Sequence, residues 1–207
     1  MSDPENHTDL VISSDTIVHK GFLSIRRMAF KFRKFDGTMS ETVTRDICER
    51  GNSAAILPFD PVRDEVALIR QVLPGNIAAG QPCRPLQVIA GRVEPMEEFI
   101  DVVLREAQEE AGLTIRRVRP AHVFMPSPGG SSERIATFVG HVDLSQAGGI
   151  HGLAEEHEDI RLEILPARKA IWMLDHGEID AGPAVVALSW FARHHARLRT
   201  EWRSLAP

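Results

Sequence analysis

The chain has little cysteine: two residues among 207, Cys48 and Cys83, far apart and outside any C-x-x-C spacing. That excludes a disulfide scaffold and a zinc knuckle, and it suits a reducing compartment, the cytoplasm. Long apolar runs are missing as well, the longest falling far short of the roughly 18 residues a membrane span needs. The opening MSDPENHTDL carries neither a basic flank nor an apolar stretch, so it does not read as a signal peptide, and the first ten residues are expected to be loose. Nor is there an excess of positive charge. Lys and Arg number 24 against 29 Asp and Glu, a formal net charge of −5. A general phosphate-backbone binder would need a basic stripe, so neither nucleic acid nor a membrane is an expected partner. An anionic substrate would have to be met by metal ions or a few placed arginines. What is present is a globular composition, 43% hydrophobic and 26% charged, in a chain long enough to bury roughly 70% of the surface its unfolded form exposes.

From Val11 to about Asp46 the pattern alternates as strands do, with Asp36-Gly37 a strong hairpin signal before Thr42-Val43-Thr44. A meander of this size is marginal alone and must pack on something. Residues 1–50 are read as this antiparallel segment and 51–207 as the main domain. In the latter, strands are expected at Asn52 to Pro58, Glu65 to Leu73, Leu86 to Ala90, Val118 to Met125, Ile135 to Val142 and Arg161 to Leu165. A Gly- and Pro-bearing loop spans Pro74 to Pro85, and a Gly-rich, acidic loop covers 148–159. Helices are expected from near Pro95 to Gly112, from Ala167 to His176, and from Ala184 to about Trp202. This order implies an α/β fold, a mixed sheet sandwiched by helices.

The informative segment is GRVEPMEEFIDVVLREAQEEAGL, Gly91 to Leu113. On a wheel with Glu106 at zero, Glu110 lies at about +40° and Glu109 at about −60°. Val103, Ile100, Leu104, Ala107 and Ala111 fall between about +60° and +160°, which makes them the expected core stripe, flanked by concentrated negative charge. Glu106 and Glu110 are like charges at i, i+4, which costs a few tenths of a kcal/mol, and only Arg105 offers compensation. A divalent cation would relieve the repulsion, since Mg²⁺ and Mn²⁺ prefer hard oxygen ligands. The Ala90 carbonyl could reach the same ion if the strand end abuts the helix.

Gly91, Glu97, Arg105-Glu106-Ala107, Glu109-Glu110 and Gly112-Leu113 match every fixed position of the Nudix box, and the chain resembles that family from about Asp15 to Trp202. The resemblance implies the Nudix α/β/α sandwich and Mg²⁺-dependent cleavage of a nucleoside diphosphate linked to another group, with Mn²⁺ as an alternative ion. Glu106, Glu109 and Glu110 occupy metal-binding positions, and Arg105 with Glu97 resembles the ion pair that orients them. Pro126-Ser127-Pro128-Gly129-Gly130 with Glu133, and Gly149 to Leu153 followed by Glu155 to Asp159, are similar to segments of the ADP-ribose pyrophosphatase branch. There Glu156 matches the general base and Glu158 a further metal ligand. Arg45, Gly129, Glu133 and Gln87 fall at substrate-side positions, with Arg45 reaching across a homodimer formed by a swapped N-terminal sheet. Two departures concern recognition: Leu73 stands where the branch usually has arginine, and Gln87 where it has glutamate. ADP-ribose, split to AMP and ribose 5-phosphate, is therefore the leading substrate. A GDP- or UDP-sugar is the rival, and a non-catalytic nucleotide-sugar sensor the second class. His194-His195 reads as a surface pair without a carboxylate partner, and Trp172, Trp190 and Trp202 as core or dimer packing.

Overall fold

The computed structural model describes residues 9–204; the loose start expected over the first ten residues lies, up to residue 8, outside them. The described chain forms two compact units.

One unit holds the residues up to Gly51 together with Met125–Arg134. Strands β1 (Leu10–His19), β2 (Ser24–Phe32) and β3 (Val43–Glu49) form an antiparallel sheet in the order β1-β2-β3. The expected hairpin turn is present, with Gly37 at φ +85°, a left-handed conformation glycine adopts freely. Bidentate Arg26–Asp15 and Arg27–Asp46 pairs cross the strands. Every residue of β1 is exposed, including Leu10, Val11, Ile12, Ile17 and Val18. The 125–134 loop is tied to β3 by Cys48 N–H donating to Gly130 O at 2.8 Å and by an Arg50–Glu133 pair at 3.6 Å.

The other unit is built on β4 (Ser53–Asp60), whose residues 54–60 are all buried. It lies antiparallel to β5 (Glu65–Arg70) and β7 (Ile89–Arg92), and parallel to β9 (Ile135–His141). β6 (Leu86–Gln87) pairs β5, and β8 (Arg117–Phe124), β10 (Ile150–His151) and β11 (Ile160–Pro166) complete a mixed sheet in the order β10-β11-β5-β4-β9-β8. The period of two in β4 assigns the layers. Ala55, Leu57 and Phe59 pack with α3 (Ala167–Asp175) and α4 (Gly182–Arg203), while Ala54 and Ile56 pack with α2 (Phe99–Glu109). The expected α/β/α sandwich is the observed one.

Some expectations shift. The helix expected from Pro95 begins at Phe99, because Met96 adopts φ +72°, which no helix can contain. Its helical residues end at Glu109, short of the expected Gly112, which takes φ +63° in the closing turn with Leu113 N–H bonded to Ala107 O. The 74–85 loop contains a short helix, α1 (Pro74–Ala78), started by its proline. His195 is not a free surface residue: its Nε2 lies 2.6 Å from Asp64 Oδ1. Trp190 and Trp202 are buried, but Trp172 is 43% exposed and stacks on His176.

Phe191 is fully buried, with its ring centroid 4.9 Å from that of Phe59 and 5.1 Å from that of His195. Phe191→Ala is expected to cost about 3–5 kcal/mol in urea unfolding. His141 is also buried, stacked on Trp202; burial and the positive charge of Arg116 hold its imidazole below the ordinary 6.5, against a smaller opposing pull from Asp60. The folded chain therefore resists a proton that the unfolded chain accepts. His141 should contribute full stability above pH 6.5 and lose it as pH falls below that value. A urea midpoint that declines between pH 7 and 5.5 in the parent, and declines less in His141→Gln, is the expected result.

Candidate active site

The site lies within the larger unit, where β7 runs into the turn before α2. Burial on α2 differs from the wheel's expectation. Val102, Val103, Ala107, Glu110 and Ala111 are buried, whereas Ile100 and Leu104 are 45% and 40% exposed. The buried face is rotated toward Glu106 and Glu110, so these carboxylates lie on the packing face and not beside it. Glu110 is only 2% exposed.

What permits this is a set of local donors. The Ala90 backbone N–H reaches Glu110 Oε2 at 3.1 Å, and Gln71 Nε2 reaches Oε1 at 3.1 Å. Those bonds offset only part of the desolvation. Burial, with the negative fields of Glu106 and Glu158, pushes the Glu110 carboxyl up to about 8. Glu106 is raised by burial too, opposed mainly by Arg105. Gly91 gives Glu106 its room, for a Cβ at that position would overlap the Glu106 carboxyl.

Arg105 is the one cation in the cluster. Its Nε and Nη2 clamp Glu97 at 3.0 and 3.2 Å, while Nη1 bridges Glu106 at 2.7 Å and Glu109 at 3.1 Å. Glu97 is held below its ordinary range chiefly by that clamp. The 148–159 loop is fastened to the same helix through Gly152 N–H on Glu109 O at 3.2 Å, and Leu153 N–H bonds Glu158 at 3.1 Å.

Four of the carboxylates singled out from the sequence, Glu106, Glu109, Glu110 and Glu158, thus share one electrostatic neighbourhood with Ala90. Glu156 sits exposed on a single 3-10 turn, Ala154–Glu156, without a side-chain partner among the described residues. Gln87 is half-buried on β6. Arg45, Gly129 and Glu133 belong to the smaller unit, where Arg45 is exposed and Glu133 buried beside Arg50. Sequence reasoning missed Gln71 as a holder of Glu110, and it assigned Ala90 by its carbonyl when its N–H already serves. The strand predicted at Glu65 to Leu73 ends as β5 at Arg70, one residue before Gln71.

Hard carboxylate oxygens, two of them on a packing face, are the donor set that suits a divalent cation. Among the described residues, no three such side chains converge on one point, because Arg105 draws Glu106 and Glu109 toward itself.

The model of the NUDIX domain matches residues 49–185, which include the whole cluster. The chain belongs to the NUDIX family. Among its NUDIX relatives, the ADP-ribose pyrophosphatase of Escherichia coli K12 is 44% identical over 194 residues, covering 94% of this chain and 93% of the relative. That of Haemophilus influenzae is 38% identical over 94% and 91%. A GDP-mannose pyrophosphatase of Escherichia coli is 28% identical over 90% and 96%. A crystal structure of an ADP compounds hydrolase superposes with a TM-score of 0.70 at 18% identity, over 92% of this chain and 97% of that one, which shows the shared fold.

Gly91→Ala tests the packing of the NUDIX helix. The added methyl forces Glu106 into another rotamer without opening the core. Hydrolytic kcat should fall by about 100-fold while the thermal midpoint moves by no more than about 3 °C.

Proposed function

We propose that this NUDIX protein hydrolyses the diphosphate of ADP-ribose to AMP and ribose 5-phosphate with Mg²⁺, or Mn²⁺ in its place. The reading is carried by one observation: the inward-facing Glu106–Glu110 pair with its Arg105 clamp lies in a chain matching ADP-ribose pyrophosphatases along nearly its whole length.

Glu106, Glu109, Glu110, Glu158 and the Ala90 carbonyl would hold the cation. When bound, it neutralises the diphosphate oxygens and makes phosphorus more electrophilic. Arg105, fixed by Glu97, holds the Glu106 and Glu109 side chains in place. A Glu156 carboxylate oxygen takes the proton of the attacking water as the new P–O bond forms and the bridging P–O bond breaks. Its exposed position on a short loop suits a base that must approach from solvent. Arg45, Gly129, Glu133 and Gln87 serve the substrate. The protein works as a cytoplasmic homodimer joined through an N-terminal segment, residues 1–50, attached to a hydrolase domain over 51–207. The exposed Leu10, Val11, Ile12, Ile17 and Val18 of β1 support that pairing. No described helix is long and apolar enough to cross a membrane.

A second reading, cleavage of a GDP- or UDP-sugar by the same chemistry, is favoured by Leu73 and Gln87. Neutral residues replace a charged pair there together, leaving no orphan charge.

Purified protein with Mg²⁺ should release AMP from ADP-ribose faster than it cleaves GDP-mannose or a UDP-sugar, and chelation should abolish the activity. Glu110→Gln is expected to lower kcat by at least about 100-fold, and His194→Ala by less than about twofold. Tight ADP-ribose binding with no turnover of any diphosphate would instead identify a sensor. Sedimentation should give twice the chain mass, and charged substitutions at Val11 and Ile17 should halve it.

A further inference from the structure

We propose that the groove between the start of α3 and the last turns of α4 is a binding site for free phosphomonoesters, separate from the glutamate cluster. It is an open groove of about 480 Å³ lined by Arg168, His195, Arg199, Thr200 and Arg203.

The groove is assembled by a strained residue. Asp64 adopts φ +61° in the β4–β5 turn, unusual outside glycine, and its carbonyl accepts the Ala167 N–H at 2.8 Å. Its two carboxylate oxygens reach His195 Nε2 at 2.6 Å and Arg199 Nη1 at 3.1 Å. One turn residue thereby holds the first residue of α3 and two residues of α4 together. Its charge is then used up, and three arginines face one acid.

Among the described residues no carboxylate lies within ion-pair distance of Arg168 or Arg203, and Arg199 Nε is buried without a partner. The dipole of α4 accounts for one arginine in its last turn, Arg203, and not for the other two. α3 adds to the field: its N-cap, Pro166, provides no side-chain bond, and no acid stands in its first turn.

A second arginine-rich groove, around Arg70, Arg84 and Arg161, makes the contrast. There each guanidinium is paired, with Glu163 or Asp159. Surplus cations in a chain of net charge −5, placed on two helix ends held in fixed register, select a compact dianion. Phosphate fits, because guanidinium groups bind its oxygens in pairs and a phosphomonoester carries nearly two charges at neutral pH.

Inorganic phosphate and glycerol 3-phosphate, titrated calorimetrically into the full chain without divalent cations at constant ionic strength, should bind saturably. Arg168→Gln/Arg203→Gln should weaken both by at least about tenfold, with unfolding midpoint and diphosphate hydrolysis in phosphate-free buffer unchanged. Glu110→Gln should bind them as the parent does, which separates this groove from the glutamate cluster. The proposal fails if chloride matches phosphate, if the double variant binds as tightly as the parent, if Glu110→Gln abolishes binding, or if only phosphatidic acid vesicles are bound.

Discussion

Two glutamates pointing inward on the packing face of a helix set the terms for much of the larger unit. An ionised carboxylate removed from water costs several kcal/mol unless paired or hydrogen-bonded. A fold meant only to be stable would have put alanine or leucine at 106 and 110, as it has at 107, 111 and 113. Glu110 instead receives one backbone and one side-chain N–H, remains short of positive charge and has a carboxyl raised to about 8. Such concentrated, incompletely compensated acidity is what a bound cation would relieve.

The neighbouring sequence follows from that demand. β7 pairs with β4 alone, so the Ala90 N–H is available to Glu110. Gly91 is a glycine because the Glu106 carboxyl fills the volume of a side chain. Arg105 must be an arginine, since a lysine could not clamp Glu97 with two nitrogens while sending a third to Glu106 and Glu109. Two supports therefore act in series: Glu97 fixes Arg105, and Arg105 fixes the carboxylates.

The architecture was legible in the sequence because its signals are strong and local. β4 shows as an apolar run, the turn that closes α2 carries Gly112 where glycine takes φ +63°, and Asp36-Gly37 turns the hairpin. The orientation of α2 was not legible. A wheel ranks residues by polarity and so sends Ile100 and Leu104 inward, whereas the donors on Ala90 and Gln71 draw Glu110 in and push both onto the flank. Tertiary hydrogen bonds override periodicity there, and no spacing along the chain encodes them. Met96 is similar, a residue with ordinary helix propensity held at φ +72° in the turn that delivers α2. His195 and Asp64, 131 positions apart, could meet only in the folded chain.

The same logic distinguishes the two charged regions of this unit. Along α2 the excess is negative and inward-facing, so a bound cation would relieve repulsion and desolvation together, and affinity would follow from strain already present. Between α3 and α4 the excess is positive and half open to water, where solvent screens each guanidinium. A ligand there gains from the geometry of several donors held in register more than from relief of stress, and the register comes from Asp64, whose left-handed backbone directs its carbonyl to Ala167 while its carboxylate meets α4. A tight, metal-type site and a weaker, exchangeable anion site can thus be built from the same currency of unbalanced charge, their strengths set by how far each is withdrawn from water.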